Sequence, residues 1–157
     1  MLSNSEITTL RNNIITNKNV VYNGKTLKTW LGESNHTEVA AYYNTANTTD
    51  IWKPDLTSEQ LTNIIVMSDF IALSQGQRDA WVAMSKLSAI DTTKSLVRTN
   101  FVSIFGNGTA TTTSATALAQ RKATRFEELF TTANVSSKYG YIVSNGDILE
   151  ATLNTSL

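Results

Sequence analysis

Helix-start signals recur at short intervals along this chain, and they constrain its fold more than any other feature. A Ser or Thr followed three residues later by Gln, Glu or Asp is typical of the capping box that opens an α-helix. Three pairs that precede apolar residues at helical spacing are interpreted in this way: Thr57 with Gln60, Ser74 with Gln77, and Ser144 with Asp147. The chain is therefore predicted to be mainly α.

Other helices are predicted from apolar residues spaced three or four positions apart. They lie in the segments EITTLRNNIIT after Ser5, LKTWLG, HTEVAAYYNTA after Ser34 or Asn35, and TTKSLVRTNFVSIFG after Asp91. In the last segment Phe101 and Phe105 belong to an apolar stripe, and Gly106 is expected to end the helix.

Four segments are predicted to be non-helical. Asn23-Gly24 favours a turn more than a full hairpin because its flanks are short. Pro54 favours an extended connector, which leaves Ile51 and Trp52 free to fill a core or a groove. Residues 106–114, which read GNGTATTTS, are predicted to be a mobile loop. The segment KYGYIV alternates enough to predict one short strand.

Together these elements predict one domain over residues 1–157, a single-domain helical bundle with extended loops and at most one short strand or hairpin. The hydrophobic content of 41% is sufficient for one core. We find no internal repeat and no linker that divides the chain.

Composition excludes several classes of protein. The formal net charge is zero and only 17% of residues are charged, which argues against nucleic-acid binding by bulk electrostatics. The absence of Cys excludes disulfides, thiolate metal sites and cysteine nucleophiles. The first residues do not resemble a secretory signal, and no run approaches the roughly 20 apolar residues of a membrane span. A protein made in a cytoplasm and remaining soluble there is expected.

The pattern of ionisable residues favours no enzyme. His36 is the only histidine, at a predicted helix start, where a general base would lack a nucleophile or an orienting partner. Glu127 and Glu128 are adjacent and would point about 100° apart on a helix. Asp91 and Asp147 are explained by helix caps. We therefore predict a non-enzymatic protein without catalytic, cofactor-binding or metal-binding residues.

The stretch ALAQRKATRFEELF, residues 117–130, predicts the longest core helix, extending over residues 114–133. On such a helix Arg121, Arg125 and Glu128 form one edge of an apolar face, and Lys122 falls inside that face. Three interpretations stay open: contact with nucleic acid, a solvated outer edge, or an interface between subunits.

The subunit interface would use Arg–carboxylate pairs between copies, with aromatic residues as anchors. Its candidate residues are Arg121, Lys122, Arg125, Glu128, Ile51, Trp52 and Lys53.

Four segments resemble, in order, small virion proteins of tailed bacteriophages: TDIWKPDLTSEQL, FIALSQGQRDAWVAM, LVRTNFVSIFGNGTA and ALAQRKATRFEELF. The resemblance covers residues 50–130, and the head–tail connector, also called the adaptor or head completion protein, is the most similar class. It implies a virion protein of the neck and a homo-oligomeric ring, commonly of about twelve copies with heterologous contacts. The implied partners are the portal protein and a tail or tail-completion protein; packaged DNA would pass nearby without sequence-specific binding, and no membrane is involved.

Two alternatives remain. One is a capsid decoration or cementing protein, a class that is more often rich in β-structure. The other is a DNA-binding packaging accessory protein that uses Arg121, Lys122 and Arg125 to contact phosphates. In the connector interpretation, the loop 106–114 and the connector around Ile51 and Trp52 are the segments expected to reach neighbouring subunits.

Overall fold

The computed structural model describes residues 1–153, which form helices and three short antiparallel strand pairs. Its elements, in chain order, are α1 (Asn4–Asn17), β1 (Val21–Tyr22), β2 (Lys25–Thr26), α2 (Leu27–Gly32), α3 (His36–Asn44), β3 (Ala46–Trp52), α4 (Ser58–Thr62), α5 (Met67–Ile71), α6 (Gln75–Met84), α7 (Ser95–Phe105), α8 (Ala110–Ala119), β4 (Gln120–Thr124), α9 (Arg125–Glu128), β5 (Thr131–Thr132), β6 (Val135–Ser136) and α10 (Asn145–Thr152). The mainly helical prediction is confirmed, but the chain is not a pure helical bundle.

The chain divides into two compact units. Unit 1 comprises Met1–Thr49, Lys122–Thr132 and Ser136–Leu157, and unit 2 comprises Asp50–Arg121 and Ala133–Val135. The boundaries after Thr49 and before Lys122 fall inside β3 and β4. The sequence shows no linker because the chain passes between the units in strands, which carry no Gly- or Pro-rich signature.

The core of unit 1 is formed by α1, α2, α3, α9 and α10. Its fully buried side chains include Leu10, Ile14, Leu27, Val39, Tyr43, Phe126 and Ile148. The Tyr43 hydroxyl donates to Asn13 Oδ1 at 2.8 Å, which satisfies the polar end of a ring buried in this core.

A hairpin precedes α2 in unit 1. Val21 pairs with Thr26 and Tyr22 with Lys25, and the turn between them is formed by Asn23 and Gly24 with φ of 49° and 83°. These left-handed conformations are those of a type I′ turn, which Asn-Gly favours. The predicted turn is therefore confirmed, and short flanking strands complete a hairpin.

The core of unit 2 is formed by α4, α6, α7 and α8. Trp81 packs against both Phe101 and Phe105, with ring centroids 6.1 and 5.4 Å away and edge-to-face planes. Leu56, Leu61, Ile90, Ile104 and Ala115 complete this cluster. The apolar stripe predicted for α7 is thus the face that packs against α6.

The three predicted capping boxes are present at the starts of α4, α6 and α10. Two helix starts differ from prediction. Ser3, rather than Ser5, caps α1 in a capping box with Glu6. Asp91 does not cap α7, which begins at Ser95; its carboxylate instead accepts from the Thr93 amide at 3.0 Å, in a local turn.

The predicted continuous helix over residues 114–133 is wrong. Helix α8 ends at Ala119, residues 120–124 form β4, and a new helix, α9, begins at Arg125. The reason is a fifth capping box: Thr124 adopts an extended conformation, accepts from the Glu127 amide, and receives the Glu127 carboxylate on its own amide. Ala119, Ala123 and Phe126 are buried as the helical pattern predicted, although in three different elements.

Two further predictions are corrected. The loop predicted over residues 106–114 is confined to 106–109, because residues 110–114 already belong to α8. The start of α8 is fixed by the Thr109 cap and by Asp69, whose Oδ2 accepts from the Thr111 amide at 2.8 Å. No strand forms over residues 139–143; Val143 bonds through both backbone groups to the side-chain amide of Asn44 instead.

Among residues 1–153, no helix is both long and apolar enough to cross a membrane.

Candidate functional site

The basic residues of the stretch at 120–128 make hydrogen bonds within the chain. Arg125 is the first residue of α9; its guanidinium lies 4.6 Å from the centre of the Tyr42 ring, and its Nε donates to Thr45 Oγ1 at 3.1 Å. Lys122, on β4, donates from Nζ to the Thr48 carbonyl at 2.8 Å. Both cations therefore bond to residues of unit 1, at the end of α3 and at the start of β3.

Glu128 is likewise engaged inside unit 1, where its two carboxylate oxygens accept hydrogen bonds from Asn47 Nδ2 and Thr49 Oγ1. Since residues 120–124 form a strand, the charged helix edge expected from Arg121, Arg125 and Glu128 does not exist. Arg121 is half-buried and belongs to unit 2.

The predicted connector residues are also part of the packed structure. Ile51 has no exposed surface, so its side chain has none to bury against a second copy. Trp52 is half-buried, with the Arg98 guanidinium 4.6 Å from its ring centre. Lys53 Nζ donates to the Leu118 carbonyl at 2.6 Å. The structure therefore brings the seven predicted interface residues into intramolecular roles in two different units.

Glu127 is a buried residue whose role sequence reasoning missed. It has no exposed surface; Oε2 accepts from the Thr124 amide at 2.8 Å and Oε1 from the Gly140 amide at 2.6 Å. The motif Thr-x-x-Glu at 124–127 would have revealed the first of these bonds. The second, made by an amide 13 residues away, has no local signal.

A polar network in unit 1 links α1 to the segment before α10. Lys138 Nζ lies 2.5 Å from Glu6 Oε1, and this contact, with the Ser3 hydrogen bonds, lowers the pKa of Glu6 to about 2. The Tyr141 hydroxyl donates to Asp147 at 3.1 Å. Burial, followed by this bond and the charge of Asp147, raises the pKa of Tyr141 to about 12. These contacts favour the charged form of the Glu6 carboxylate and the neutral form of the Tyr141 phenol.

Exposed apolar side chains form surfaces that the sequence reasoning did not single out. On α5 of unit 2, Met67 and Ile71 are 66% and 64% exposed and lie one helical turn apart. On α10 of unit 1, Leu149 and Leu153, which follows the helix, are 51% and 58% exposed. A signal existed in the sequence, because the two residues of each pair are spaced by four positions.

A groove lies between α6 and α7 of unit 2, with a volume of about 680 Å³. Small residues of α6, Gly76, Ala80 and Ala83, form one wall, and Val97 and Ile104 of α7 contribute to the other. The small side chains leave room for an apolar surface from another molecule.

In the part of the chain that the structure describes, no group of three or more His, Asp or Glu residues is arranged to hold a metal ion. His36 lies at the first position of α3, as its predicted helix start implied.

No protein-family model matches the chain, and neither a curated protein nor a solved structure is significantly similar to it.

Proposed function

We propose that this chain is a non-enzymatic structural protein of a tailed-phage virion, which joins the portal to the tail as a ring-forming head–tail connector. The proposal combines the sequence resemblance over residues 50–130 with one structural observation: each unit carries exposed apolar surface outside its own core. A closed ring needs two different complementary patches on every subunit. Exposed apolar patches are typical of protein–protein contacts.

The patches that support this proposal differ from the candidates based on sequence. Arg125 and Glu128 hydrogen-bond within unit 1, so Arg–carboxylate pairs between copies would require those bonds to break. The apolar pair Met67 and Ile71 on α5 is the better candidate for contact with a neighbouring subunit or the portal. Burying apolar area stabilises an interface by about 25 cal/mol per Å² before association costs.

The same contacts weaken the alternative of a DNA-binding packaging protein. The Lys122 ammonium and the Arg125 guanidinium bond to oxygens of unit 1, and phosphates would have to compete with those bonds. A capsid decoration protein would also need exposed apolar surface, but it would bind the capsid shell and not the portal.

The proposal is tested by native mass spectrometry of the full chain, alone and mixed with the portal ring encoded by the same genome. We expect the chain to add to the portal in the portal's own copy number. Binding to empty capsids without binding to portal would support the decoration alternative. Salt-dependent retention on DNA without portal binding would support the packaging alternative.

A matched pair of variants on α5 tests the proposed contact. Ile71→Asp places a charge on the exposed apolar face and is expected to abolish the stoichiometric portal complex. Ser68→Asp places the same charge at another exposed position of α5 and is expected to leave the complex intact. An intact portal complex with the folded Ile71→Asp variant would exclude this face of α5 as the contact, and loss of the complex with both variants would show that the contact is not confined to the apolar face.

A further inference from the structure

Unit 2 contains a second cavity, smaller than the α6–α7 groove, with a volume of about 270 Å³. Apolar side chains form much of its wall: Trp52, Leu61, Met84, Ile90, Val97, Phe101, Val102, Ala115 and Ala119. Pockets for drug-sized ligands have volumes of roughly 300–1,000 Å³, so this cavity suits a smaller molecule.

The hydroxyl groups in the wall are already used by the chain. Thr92 Oγ1 donates to the Lys53 carbonyl at 2.5 Å, Thr112 Oγ1 to the Thr109 carbonyl at 3.0 Å, and Thr116 Oγ1 to the Thr112 carbonyl at 2.9 Å. Their protons are not available to a ligand. A molecule in the cavity therefore meets mainly apolar surface.

Arg98 is the one charged residue in the lining. Its Nη1 donates to the carbonyls of Thr92 and Thr93 at 2.6 and 2.8 Å, and its guanidinium stacks on Trp52. These contacts hold the planar group in one orientation. Within residues 1–153, Nε and Nη2 make no hydrogen bond and no carboxylate pairs with Arg98.

The free Nε–Nη2 edge of Arg98 carries two parallel N–H donors, which match the two oxygens of a carboxylate. Those nitrogens are not among the buried polar atoms that lack partners, so they remain accessible. Val102 and Thr116 are exposed lining residues and mark where the cavity reaches the surface.

We propose that this cavity binds a small organic carboxylate with an apolar body. The carboxylate pairs side-on with Nε and Nη2 of Arg98, and the apolar part lies against Phe101 and Ala115. One negative charge balances the one cation of the lining, whereas a phosphate dianion would bring an excess charge next to an apolar wall. The site is independent of the proposed role in the virion.

The test is a calorimetric titration of the full chain with octanoate and, separately, with octanol, which has the same chain length and no charge. We expect saturable octanoate binding that is about tenfold or more tighter than octanol binding, because hydrogen bonds to charged groups are the stronger ones. In nitrogen-resolved NMR spectra, octanoate should shift the Arg98 Nε–H resonance and octanol should not.

Three variants assign the site. Arg98→Gln should lose octanoate binding and keep weak octanol binding. Arg78→Gln is the matched control, because Arg78 also lies over an aromatic ring, that of Phe70 at 5.9 Å, but is outside this cavity. It should bind octanoate as the wild type does. Ala115→Leu fills the cavity, leaves Arg98 in place, and should weaken both ligands even if Arg98→Gln proves unstable.

Three results would overturn the proposal. They are no saturable octanoate binding by the folded wild type, equal affinity for octanoate and octanol, and unchanged octanoate binding in folded Ala115→Leu protein.

Discussion

Glu127 is a carboxylate without exposed surface, and two backbone amides explain how unit 1 accommodates it. The Thr124 amide bonds to one oxygen and the Gly140 amide to the other. The Glu127 carbonyl in turn accepts from the Thr131 and Ser136 hydroxyls. A buried charge without such partners would destabilise the fold by several kcal/mol. Glu127 thus joins the start of α9 to a segment beyond β6.

We therefore expect Glu127→Ala to lower the free energy of unfolding by about 2–4 kcal/mol, since two buried amides lose their acceptors. Urea denaturation followed by circular dichroism measures the change. Glu150→Ala, the same substitution at an exposed site, should change the free energy of unfolding by less than about 0.5 kcal/mol. A cost for Glu127→Ala as small as that of the control would contradict this role.

The Glu6–Lys138 pair predicts a dependence of stability on acid. Because folding lowers the pKa of Glu6 from 4.5 to about 2, its contribution is complete above pH 4.5 and is lost as the pH falls towards 2. The pair is partly exposed, so we expect Glu6→Gln to cost under about 1 kcal/mol at neutral pH. Urea midpoints of wild type and variant should converge near pH 2; a constant difference at all pH values would argue against the pair.

At the scale of the element, α8 begins where it does because unit 2 stabilises its first turn twice. Thr109 caps it locally, and Asp69 of α5 accepts from the Thr111 amide. Both interactions satisfy an amide of the first turn, and the negative charge of Asp69 also stabilises the positive end of the helix dipole. From the sequence alone, the Gly- and Thr-rich composition of residues 106–114 indicates a loop. The contact from Asp69 of α5, which stabilises the helix start, depends on the fold and has no signal in this segment.

Asp69→Ala should lower the free energy of unfolding by about 1–2 kcal/mol and speed hydrogen exchange of the Thr111 amide. Asp79→Ala, on the exposed side of α6, should have little effect on either quantity. Unchanged exchange at Thr111 in the Asp69 variant would show that Thr109 alone fixes the start of α8.

Elements with local signals could be predicted from the sequence, and those that depend on distant partners could not. The caps at Thr57, Ser74 and Ser144 need only residues three positions away, and all three are present. Strand β4 is different, because the helix-favouring sequence QRKAT is extended only through pairing with β3, far away in the chain. The end of β4 could nevertheless have been predicted, because the Thr124–Glu127 motif indicates that a helix starts there.

The candidate site was less predictable than the fold. Arg125 was assigned to an outer edge, yet the Tyr42 ring and the Thr45 hydroxyl, some 80 residues earlier, hold its guanidinium. No sequence pattern identifies Arg98 as a binding residue, because its stacking on Trp52 forms only when unit 2 folds. Cation–aromatic contacts between distant segments leave no periodic trace in a sequence.

At the scale of the whole molecule, the two hydrophobic cores have no buried residue in common. A cavity made in one core should therefore destabilise mainly the unit that contains it. Leu10→Ala removes a fully buried side chain of unit 1 and should cost about 2–5 kcal/mol.

Native-state hydrogen exchange shows which unit Leu10→Ala destabilises, because it measures the protection of individual amides. Amides of α1, α3 and α10 should lose more protection than amides of α6 and α7. Ile15→Ala, at a partly exposed position of α1, should lower protection much less. An equal loss of protection in both units after Leu10→Ala would show a single cooperative unit.

The passage of the chain through β3 and back through β4 determines the order in which the units can be completed during synthesis. Unit 2 has all of its residues once Val135 has left the ribosome. Unit 1 begins first, but its core still lacks Val143, Ile148 and Ala151 at that point. A nascent chain stalled with Val135 outside the ribosome and Val143 still inside it would hold a complete unit 2, while α1 to α3 would still lack the residues that complete their core.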